Sequence, residues 1–329
     1  MTPWIILISY ALFLLLFDFF VLHKKDKVTT VRKAIFETIF FVSNALLFTF
    51  AVYWFYNTNM IDNVNNLSAS DAVVKYLTGY IIELSLSVDN LFVIAIIFTG
   101  YKIPSQYQHK LLFLGILGAI IFRAILISIG LVLIHKIHGM SIIFGLFLLY
   151  TAFKMLKKEA EHEEVHEPKG IMKLFRFSNS MDGGKFVTKI NGKRVFTTLF
   201  AALVAIEFTD LLFALDSIPA IFAITTDPFI VYSSNIFAIM GLRSLYFFLA
   251  NMLEKFVYLK YSVFSILIFV SLKLMTAGFV DIPEWFSLLF IAMSLIIGVY
   301  VSLNFNKDAE KHKKEYIIYV ELRIDYFNF

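Results

Sequence analysis

The chain has 329 residues, of which 59% are hydrophobic and 16% charged, and its mean hydropathy is +0.78. This apolar share exceeds that of ordinary globular domains, so the composition excludes a soluble protein and predicts a polytopic membrane protein. The formal net charge is +4, and the absence of cysteine excludes disulfides, thiolate metal sites and cysteine nucleophiles.

Apolar segments long enough to cross a bilayer recur along the chain, since a spanning helix needs roughly 20 residues. They predict an all-α fold with about nine transmembrane helices. No small-residue cleavage site follows the first segment, so we interpret it as a span rather than a signal peptide. The predicted spans are 3–22, 34–56, 73–100, 110–134, 139–156, 197–225, 229–253, 261–280 and 285–303.

Basic residues are concentrated in alternate loops between these spans. They include Lys24 and Lys25 after the first span, several residues of segment 157–196, and Lys313 and Lys314 in the tail. Because cytoplasmic loops of membrane proteins carry an excess of lysine and arginine, we expect the N-terminus outside and the C-terminus in the cytoplasm.

Segment 157–196 is predicted to be a cytoplasmic loop. It opens with an acidic, histidine-containing run from Glu159 to Glu167, which we interpret as solvated charge rather than as a weak metal site. Further along, Asn191-Gly192 stands between two strand-like runs and is a strong signal for a two-residue β-hairpin turn. We expect any cytoplasmic protein partner to dock on this loop.

Two acidic motifs lie deep inside apolar spans. On insertion scales an acid at the bilayer centre costs roughly 2.5–3.5 kcal/mol, so we expect these acids to hold a cation. A purely structural charge network is the alternative. Carboxylate, amide and hydroxyl oxygens suit Mg²⁺, Ca²⁺ or Mn²⁺, and these donors alone do not choose among the three ions. The candidate metal ligands are Glu83, Asp89, Asn90, Glu207, Asp210, Asp216 and Ser217.

Each motif is followed, at nearly equal spacing, by an intramembrane arginine and then a lysine. Arg123 and Lys154 follow the first motif, and Arg243 and Lys273 follow the second. Because each unit holds three predicted helices, the second unit must enter the membrane in the opposite sense, which is an inverted repeat. The predicted divisions are two helices in 1–60, the repeats 73–156 and 197–280, the loop 157–196, and a last helix with its tail in 285–329.

The intramembrane cations are expected to support the acids. We predict that Arg123 and Arg243 neutralise buried acids across the repeat interface and that Lys273 pairs with an acid. Lys154, nearer a helix end, can extend toward the interface. Two isolated acids, for which packing or interfacial roles are expected, are Asp18 and Glu37.

Helix geometry restricts how the motif acids can meet. Glu83 and Asp89 are six positions apart, so they point roughly 120° away from each other on an unbroken helix. A compact site therefore requires a broken helix or ligands from neighbouring turns. Pro219 favours a break, because it supplies no amide proton to the carbonyl of Leu215.

The two motifs resemble the signature segments of the TerC family of integral membrane proteins. The resemblance rests on Glu83-Leu-Ser-Leu-Ser-Val-Asp89-Asn90 and on the stretch from Glu207 through Asp216-Ser217-Ile-Pro219, and it covers about residues 30–310. It implies a bacterial inner-membrane protein, historically linked to tellurium resistance, with several members active in manganese export. By motif match, the family's acidic positions fall on Glu83, Asp89, Glu207, Asp210 and Asp216, with Asn90 and Ser217 beside them.

The favoured hypothesis is a secondary transporter that exports a divalent cation, with Mn²⁺ expected. The alternative is a membrane platform for tellurite resistance or metal-stress response that recruits soluble partners through 157–196. An aspartyl protease is disfavoured, because no Gly-x-Gly-Asp sequence precedes either acid. We expect no enzymatic activity, no tightly bound cofactor and no nucleic acid. The expected partners are the lipid bilayer, the cation and, for coupling, protons, because acids that lose their cation in a dry site favour the protonated form.

Overall fold

The computed structural model describes most of the chain, and the described part is almost entirely α-helical. Within it, six helices are long and apolar enough to cross a membrane. These findings confirm an all-α membrane protein, whereas the count of about nine spans and the inverted repeat stay predictions. The described residues are 1–22, 31–63, 66–137, 139–157, 177–178, 182–190, 193–249, 258–276, 279–280, 282–283 and 285–304.

The first half of the chain contains five helices that follow the predicted apolar segments. The first of them, α1, continues into a π-helical turn at Asp18–Leu22. The third and fourth have 32 residues each, which is about 48 Å at 1.5 Å per residue and exceeds the bilayer's hydrocarbon core. The five are α1 (Thr2–Phe17), α2 (Val31–Asn57), α3 (Ala69–Gly100), α4 (Ser105–Lys136) and α5 (Met140–Lys157).

A small sheet follows α5, with strands β1 (Phe177–Ser178), β2 (Val187–Ile190) and β3 (Lys193–Thr197) in the order β1-β3-β2. Strands β2 and β3 are antiparallel, with Ile190 opposite Lys193, whereas β1 is parallel to β3. The two antiparallel strands flank Asn191-Gly192, the predicted turn, which lies outside the described residues.

Five further helices complete the described chain. Within the predicted span 229–253, one helix ends at Met240 and the next begins at Leu242, on either side of Gly241. Glycine has low helix propensity and is common at helix ends, which accounts for the position of the interruption. The helices are α6 (Thr198–Phe222), α7 (Pro228–Met240), α8 (Leu242–Leu249), α9 (Leu259–Thr276) and α10 (Trp285–Asn304).

Helix α3 lies at the centre of the bundle. It packs against α2, α6 and α7, while α4 packs against α6 and α7, and α5 packs against α9 and α6. Buried aromatic rings such as Phe48, Tyr76, Phe229 and Phe237 fill the space around α3. The two motif-bearing helices, α3 and α6, therefore lie side by side.

Both acidic motifs lie in continuous α-helix. Helix α3 runs unbroken past Glu83 and Asn90, and α6 continues through Pro219 to its end at Phe222. The expected helix break is therefore not present. Pro219 cannot donate to the carbonyl of Leu215, beside Asp216, yet it lies in the last turn of α6 and the helix continues to Phe222. Neighbouring helices, rather than a distorted one, bring the motif side chains together.

Candidate functional site

Arg123 is the centre of a buried polar cluster between α3, α4, α6 and α7. The arginine is 1% exposed and lies on α4. It forms an ion pair with Glu83 of α3, and its Nη2 lies 3.0 Å from Oδ1 of Asp210 on α6. Its Nη1 donates to Ser217 Oγ on α6 and to Asn235 Oδ1 on α7, each at 3.3 Å. The prediction that Arg123 neutralises motif acids from both predicted repeats agrees with these contacts.

Helix α3 presents its polar side chains to this cluster on one face. Glu83, Ser87 and Asn90 are spaced four and three residues apart, which places them one above another on a helix. Ser87 Oγ lies 3.5 Å from Glu83 Oε1, and Asn90 Nδ2 donates to Asp210 Oδ1 at 3.4 Å. The first and second motifs are thus joined directly as well as through Arg123.

Several buried polar atoms of the cluster lack a hydrogen-bond partner among the described residues. A buried polar group left in this way costs about 1–3 kcal/mol, and more when it is charged. Three of the atoms are oxygens whose lone pairs could accept a proton, a water molecule or a cation. The atoms are Glu83 Oε2, Asn90 Oδ1, Glu207 Oε2 and Asn235 Nδ2.

Glu207 flanks the cluster, one helical turn before Asp210. The two carboxyl groups interact electrostatically, as expected for acids three residues apart on one helix. The Glu207 carboxylate lies against Gly118 of α4, where an added Cβ would overlap its oxygens. Gly118 therefore provides the space that Glu207 occupies.

Asp216 lies apart from the Arg123 cluster, although the next residue, Ser217, contacts the arginine. Thr151 of α5 donates to Asp216 Oδ1 at 3.2 Å, and Lys154 is close enough to act on Asp216 electrostatically. Consecutive residues on a helix point about 100° apart, which accounts for the separation.

The predicted ligands are therefore divided by the structure. It groups Glu83, Asn90, Asp210 and Ser217 around Arg123. The side chain of Asp89 lies outside the described part of the chain. Among the described residues, no three Asp, Glu, His or Cys side chains are arranged as a metal site. In this conformation the arginine lies between the two acids that would otherwise face each other.

Arg243 belongs to a different cluster. It lies on α8 and forms an ion pair with Asp18 in the π-helical turn after α1. Glu37 of α2 also acts on Arg243 electrostatically, and Lys33 Nζ lies 3.5 Å from Glu37 Oε1. The expectation that Arg243 neutralises acids across the repeat interface is corrected, because α8 packs against α2 and this brings the arginine to the N-terminal helices. Asp18 and Glu37 are thus not isolated acids.

Lys273 is a further buried polar residue, and three other residues contact predicted site residues. Lys273 Nζ donates to Ser287 Oγ at 2.9 Å, and its pairing with an acid stays a prediction. Asn235, Thr151 and Gly118 were not predicted from the sequence to contact the site. Asn235 ends the polar triplet Ser-Ser-Asn within an apolar span, a signal that could have identified it. Thr151 and Gly118 carry no such signal, because single threonines and glycines are common in transmembrane helices.

Comparison with known proteins identifies the family of this chain. A family model described as "Integral membrane protein TerC family" matches residues 68–311, which include α3 to α10. A Rickettsia felis protein named "Uncharacterized membrane protein" is 41% identical over 303 residues, 91% of this chain and 97% of the relative. A Myxococcus xanthus membrane protein, also named uncharacterized, is 40% identical over 304 residues, 91% of each chain.

An Escherichia coli relative carries a functional name. It is called "Putative membrane-bound redox modulator Alx" and is 37% identical over 285 residues, 84% of this chain and 88% of the relative. No solved structure matches the chain. The family match and the nearly full-length relatives show that the chain belongs to the TerC family of integral membrane proteins.

Proposed function

We propose that the chain is a secondary transporter that exports a divalent metal cation, Mn²⁺ first among the candidates, through the Arg123 cluster. The observation that carries the proposal is the meeting of Glu83 and Asp210, from two different helices, at one buried position. Acids inside a membrane bundle are expensive, and they commonly mark ion pathways.

The donor chemistry supports a hard divalent ion. The cluster offers carboxylate, amide and hydroxyl oxygens, and the chain contains no cysteine that could supply a thiolate. Such oxygen sets suit Mg²⁺, Ca²⁺ and Mn²⁺ better than soft metals. The buried oxygens of Glu83, Asn90 and Glu207 that lack a partner among the described residues offer coordination that the arginine does not use.

The two carboxylates come from different predicted repeats, and this supports alternating access. Glu83 lies in the predicted unit 73–156, and Asp210 lies in the predicted unit 197–280. A rocking motion of one unit against the other would change the distance between the two carboxylates, and transporters with repeated units commonly use such a motion around a central site. Protons are the proposed coupling ion, taken up by carboxyl groups when the metal leaves.

The test is metal transport by the purified protein in liposomes. Mn²⁺ uptake is followed with an enclosed metal-sensitive dye, with and without a pH gradient. Wild type should accumulate Mn²⁺, and Glu83→Gln and Asp210→Asn should each lower the rate at least about 10-fold by removing a charged ligand. Absence of Mn²⁺ uptake by folded wild-type protein would contradict the proposal.

Asp71→Asn is the matched control. Asp71 lies on the same helix as Glu83, but it is exposed in the first turn, where it accepts a hydrogen bond from Ser68 Oγ at 2.6 Å. The substitution removes one carboxylate charge from α3 outside the cluster, so the rate should be close to that of wild type. A loss equal to that of Glu83→Gln would mean that the charge of α3, rather than the cluster, controls transport.

The second candidate is a membrane platform for tellurite resistance or metal-stress response that recruits soluble partners through 157–196. The name of the Escherichia coli relative, a putative redox modulator, favours a regulatory role of this kind. The chain has no cysteine for thiol exchange, so this role would act through transported cations or through partners. Deleting the loop separates the candidates. Transport by the purified variant should persist if the loop only docks partners.

The bacterial relatives support a location in the bacterial cell membrane. The distribution of basic residues among the loops supports an orientation with the N-terminus outside and segment 157–196 in the cytoplasm. The proposal assigns the chain no enzymatic activity and no tightly bound cofactor. Cysteine-accessibility labelling of single cysteines introduced at Thr2 and Ser178 from each side of the membrane tests the orientation. Labelling of both positions from the same side would contradict it.

A further inference from the structure

The guanidinium of Arg123 stands where a cation bound by the motif acids would stand. It contacts Glu83 and Asp210, which carry the charge, and the oxygens of Ser217 and Asn235, which are neutral. All of these acceptors are oxygen atoms, the same donor type that a hard divalent ion prefers. A divalent ion could not share the two carboxylates with the arginine without strong repulsion between like charges.

The residues around Arg123 offer more acceptor oxygens than its guanidinium contacts. Glu83 is 1% exposed and Asn90 is 4% exposed, yet Glu83 Oε2 and Asn90 Oδ1 have no hydrogen-bond partner in the described part of the chain. A guanidinium is a planar fork, and it reaches only the acceptors that lie in its plane. A spherical cation can gather oxygens from all directions, so the surplus oxygens fit an ion better than they fit an arginine.

The partners of Arg123 also divide into two pairs. Glu83 and Asp210 are charged acids, whereas Asn235 on α7 and Ser217, seven residues after Asp210 on α6, are neutral. An arginine displaced from the carboxylates can keep its contacts with the neutral pair. The side chain therefore has neutral partners besides the two carboxylates that a metal would neutralise.

We infer that Arg123 is a tethered competitor for the transported cation. It occupies the carboxylates of Glu83 and Asp210 when no metal is bound, and it yields them when the metal enters. The metal-free transporter thus never exposes two unpaired acids to the bilayer interior, and it can return to the conformation that binds metal. The metal is released because the arginine replaces it at the carboxylates. The inference rests on the proposed function.

The test is equilibrium binding of Mn²⁺ to protein in lipid nanodiscs, measured from the electron paramagnetic resonance signal of free Mn²⁺. Arg123→Ala should bind Mn²⁺ at least about 10-fold more tightly than wild type, because a competing charge is gone. Net transport by the variant should nevertheless be slower, because nothing replaces the metal. A folded Arg123→Ala protein that binds Mn²⁺ no more tightly than wild type overturns the inference.

Adding methylguanidinium gives a second measurement, which would show no effect on Mn²⁺ binding if Arg123 had only a structural role. Added to Arg123→Ala, it should occupy the vacated position and weaken Mn²⁺ binding toward the wild-type value. Wild type, whose own guanidinium fills that position, should respond little at the same concentration. An equal response in both proteins contradicts competition at this position.

Two further variants keep the experiment decisive. Arg123→Lys retains the charge and so the folded state, but a lysine lacks the planar fork, and Mn²⁺ should bind about 3-fold more tightly. Unchanged or weaker binding by folded Arg123→Lys overturns the inference even if Arg123→Ala does not fold. The double variant Asp18→Asn/Arg243→Gln removes the other buried arginine together with its ion partner, and its Mn²⁺ affinity should equal that of wild type.

The outcomes separate the inference from the function on which it rests. If neither wild type nor Arg123→Ala binds or transports Mn²⁺ or another divalent ion, the proposed function and the inference both fail. If wild type transports Mn²⁺ but loss of the arginine does not tighten binding, the inference alone fails.

Discussion

Two buried arginines, at matching places in the two predicted repeats, have different surroundings. Arg123 and Arg243 are 1% and 2% exposed, and each forms an ion pair with an acid of another helix. Arg123 is shared between two carboxylates, a hydroxyl and an amide where the motif helices meet. Arg243 instead joins the π-helical turn after α1, and it holds the N-terminal helices against α8.

The difference shows that burial and charge do not by themselves mark a binding site. The Arg123 cluster draws on both acidic motifs and is bordered by the Glu207 carboxylate, so it holds more acidic oxygen than one arginine uses. The Arg243 cluster combines acids that precede the predicted repeats with one arginine within them. The first cluster is therefore the proposed cation site, and the role expected of the second is the attachment of α1 and α2.

The largest expected effect tests the anchoring role of Arg243. Arg243→Gln leaves Asp18 buried without its ion partner, and breaking a buried pair from one side costs about 3–5 kcal/mol. Unfolding of the purified protein in detergent, followed by circular dichroism, should show this loss of stability, while Mn²⁺ affinity of the folded fraction should not change.

The control is the double variant Asp18→Asn/Arg243→Gln. Removing both charges leaves no unpaired acid in this ion pair, so the double variant should be more stable than Arg243→Gln alone, with a coupling of about 0.5–3 kcal/mol. Additive losses would show that the two residues do not act as a pair. A change in Mn²⁺ affinity would erase the distinction between the two clusters.

A smaller effect is expected at the border of the Arg123 cluster. In Gly118→Ala the added methyl group would overlap the Glu207 carboxylate, so the carboxylate must move. Overpacking of this kind costs about 1–3 kcal/mol. Measured Mn²⁺ transport should fall together with stability if Glu207 contributes to the site.

Gly100→Ala serves as the control for the helix-propensity effect of the same substitution. A Cβ at Gly100, the last residue of α3, meets no described atom within 4 Å. This variant should keep the stability and transport rate of wild type. Equal losses in both variants would show that the Gly118 effect does not arise from Glu207.

The smallest effect concerns Asp216, which lies outside both clusters. Thr151→Val removes the hydroxyl that donates to Asp216, and the loss of one such hydrogen bond costs about 0.5–1.5 kcal/mol. Transport should fall less than about 3-fold, much less than in Glu83→Gln, if the Arg123 cluster is the main site. Thr49→Val is the control, because the half-buried Thr49 donates within its own helix, to the carbonyl of Leu46. A drop as large as that of Glu83→Gln would place Asp216 in the site.

The sequence was a good guide to the helices and a partial guide to the site. Long apolar segments must become helices inside a bilayer, because each helix satisfies its own backbone hydrogen bonds there. The acids at Glu83 and Asp210 were visible for the same reason, since charge stands out against apolar sequence. The interruption of the helix at Gly241, within the predicted span 229–253, was not predicted, because the effect of a glycine on a helix depends on its neighbours.

The partners of the charged residues were much harder to predict. Spacing along the chain made Arg123 and Arg243 appear equivalent, and six-residue spacing suggested a distorted helix. Neither spacing carries information about which helices are neighbours. Asn235 and Thr151 were missed because their importance comes from residues far away in sequence, Arg123 and Asp216.

The sequence by itself determined that this protein is a helical membrane protein of the TerC family with acids inside its apolar segments. These conclusions follow from the composition, the length of the apolar segments and the two motifs, all of which are properties of short stretches of sequence. Only the tertiary structure decided that Arg123 joins the two motifs while Arg243 joins Asp18. The physical reason is that an ion pair depends on distances of a few ångströms between separate helices, and the packing of the whole bundle sets those distances.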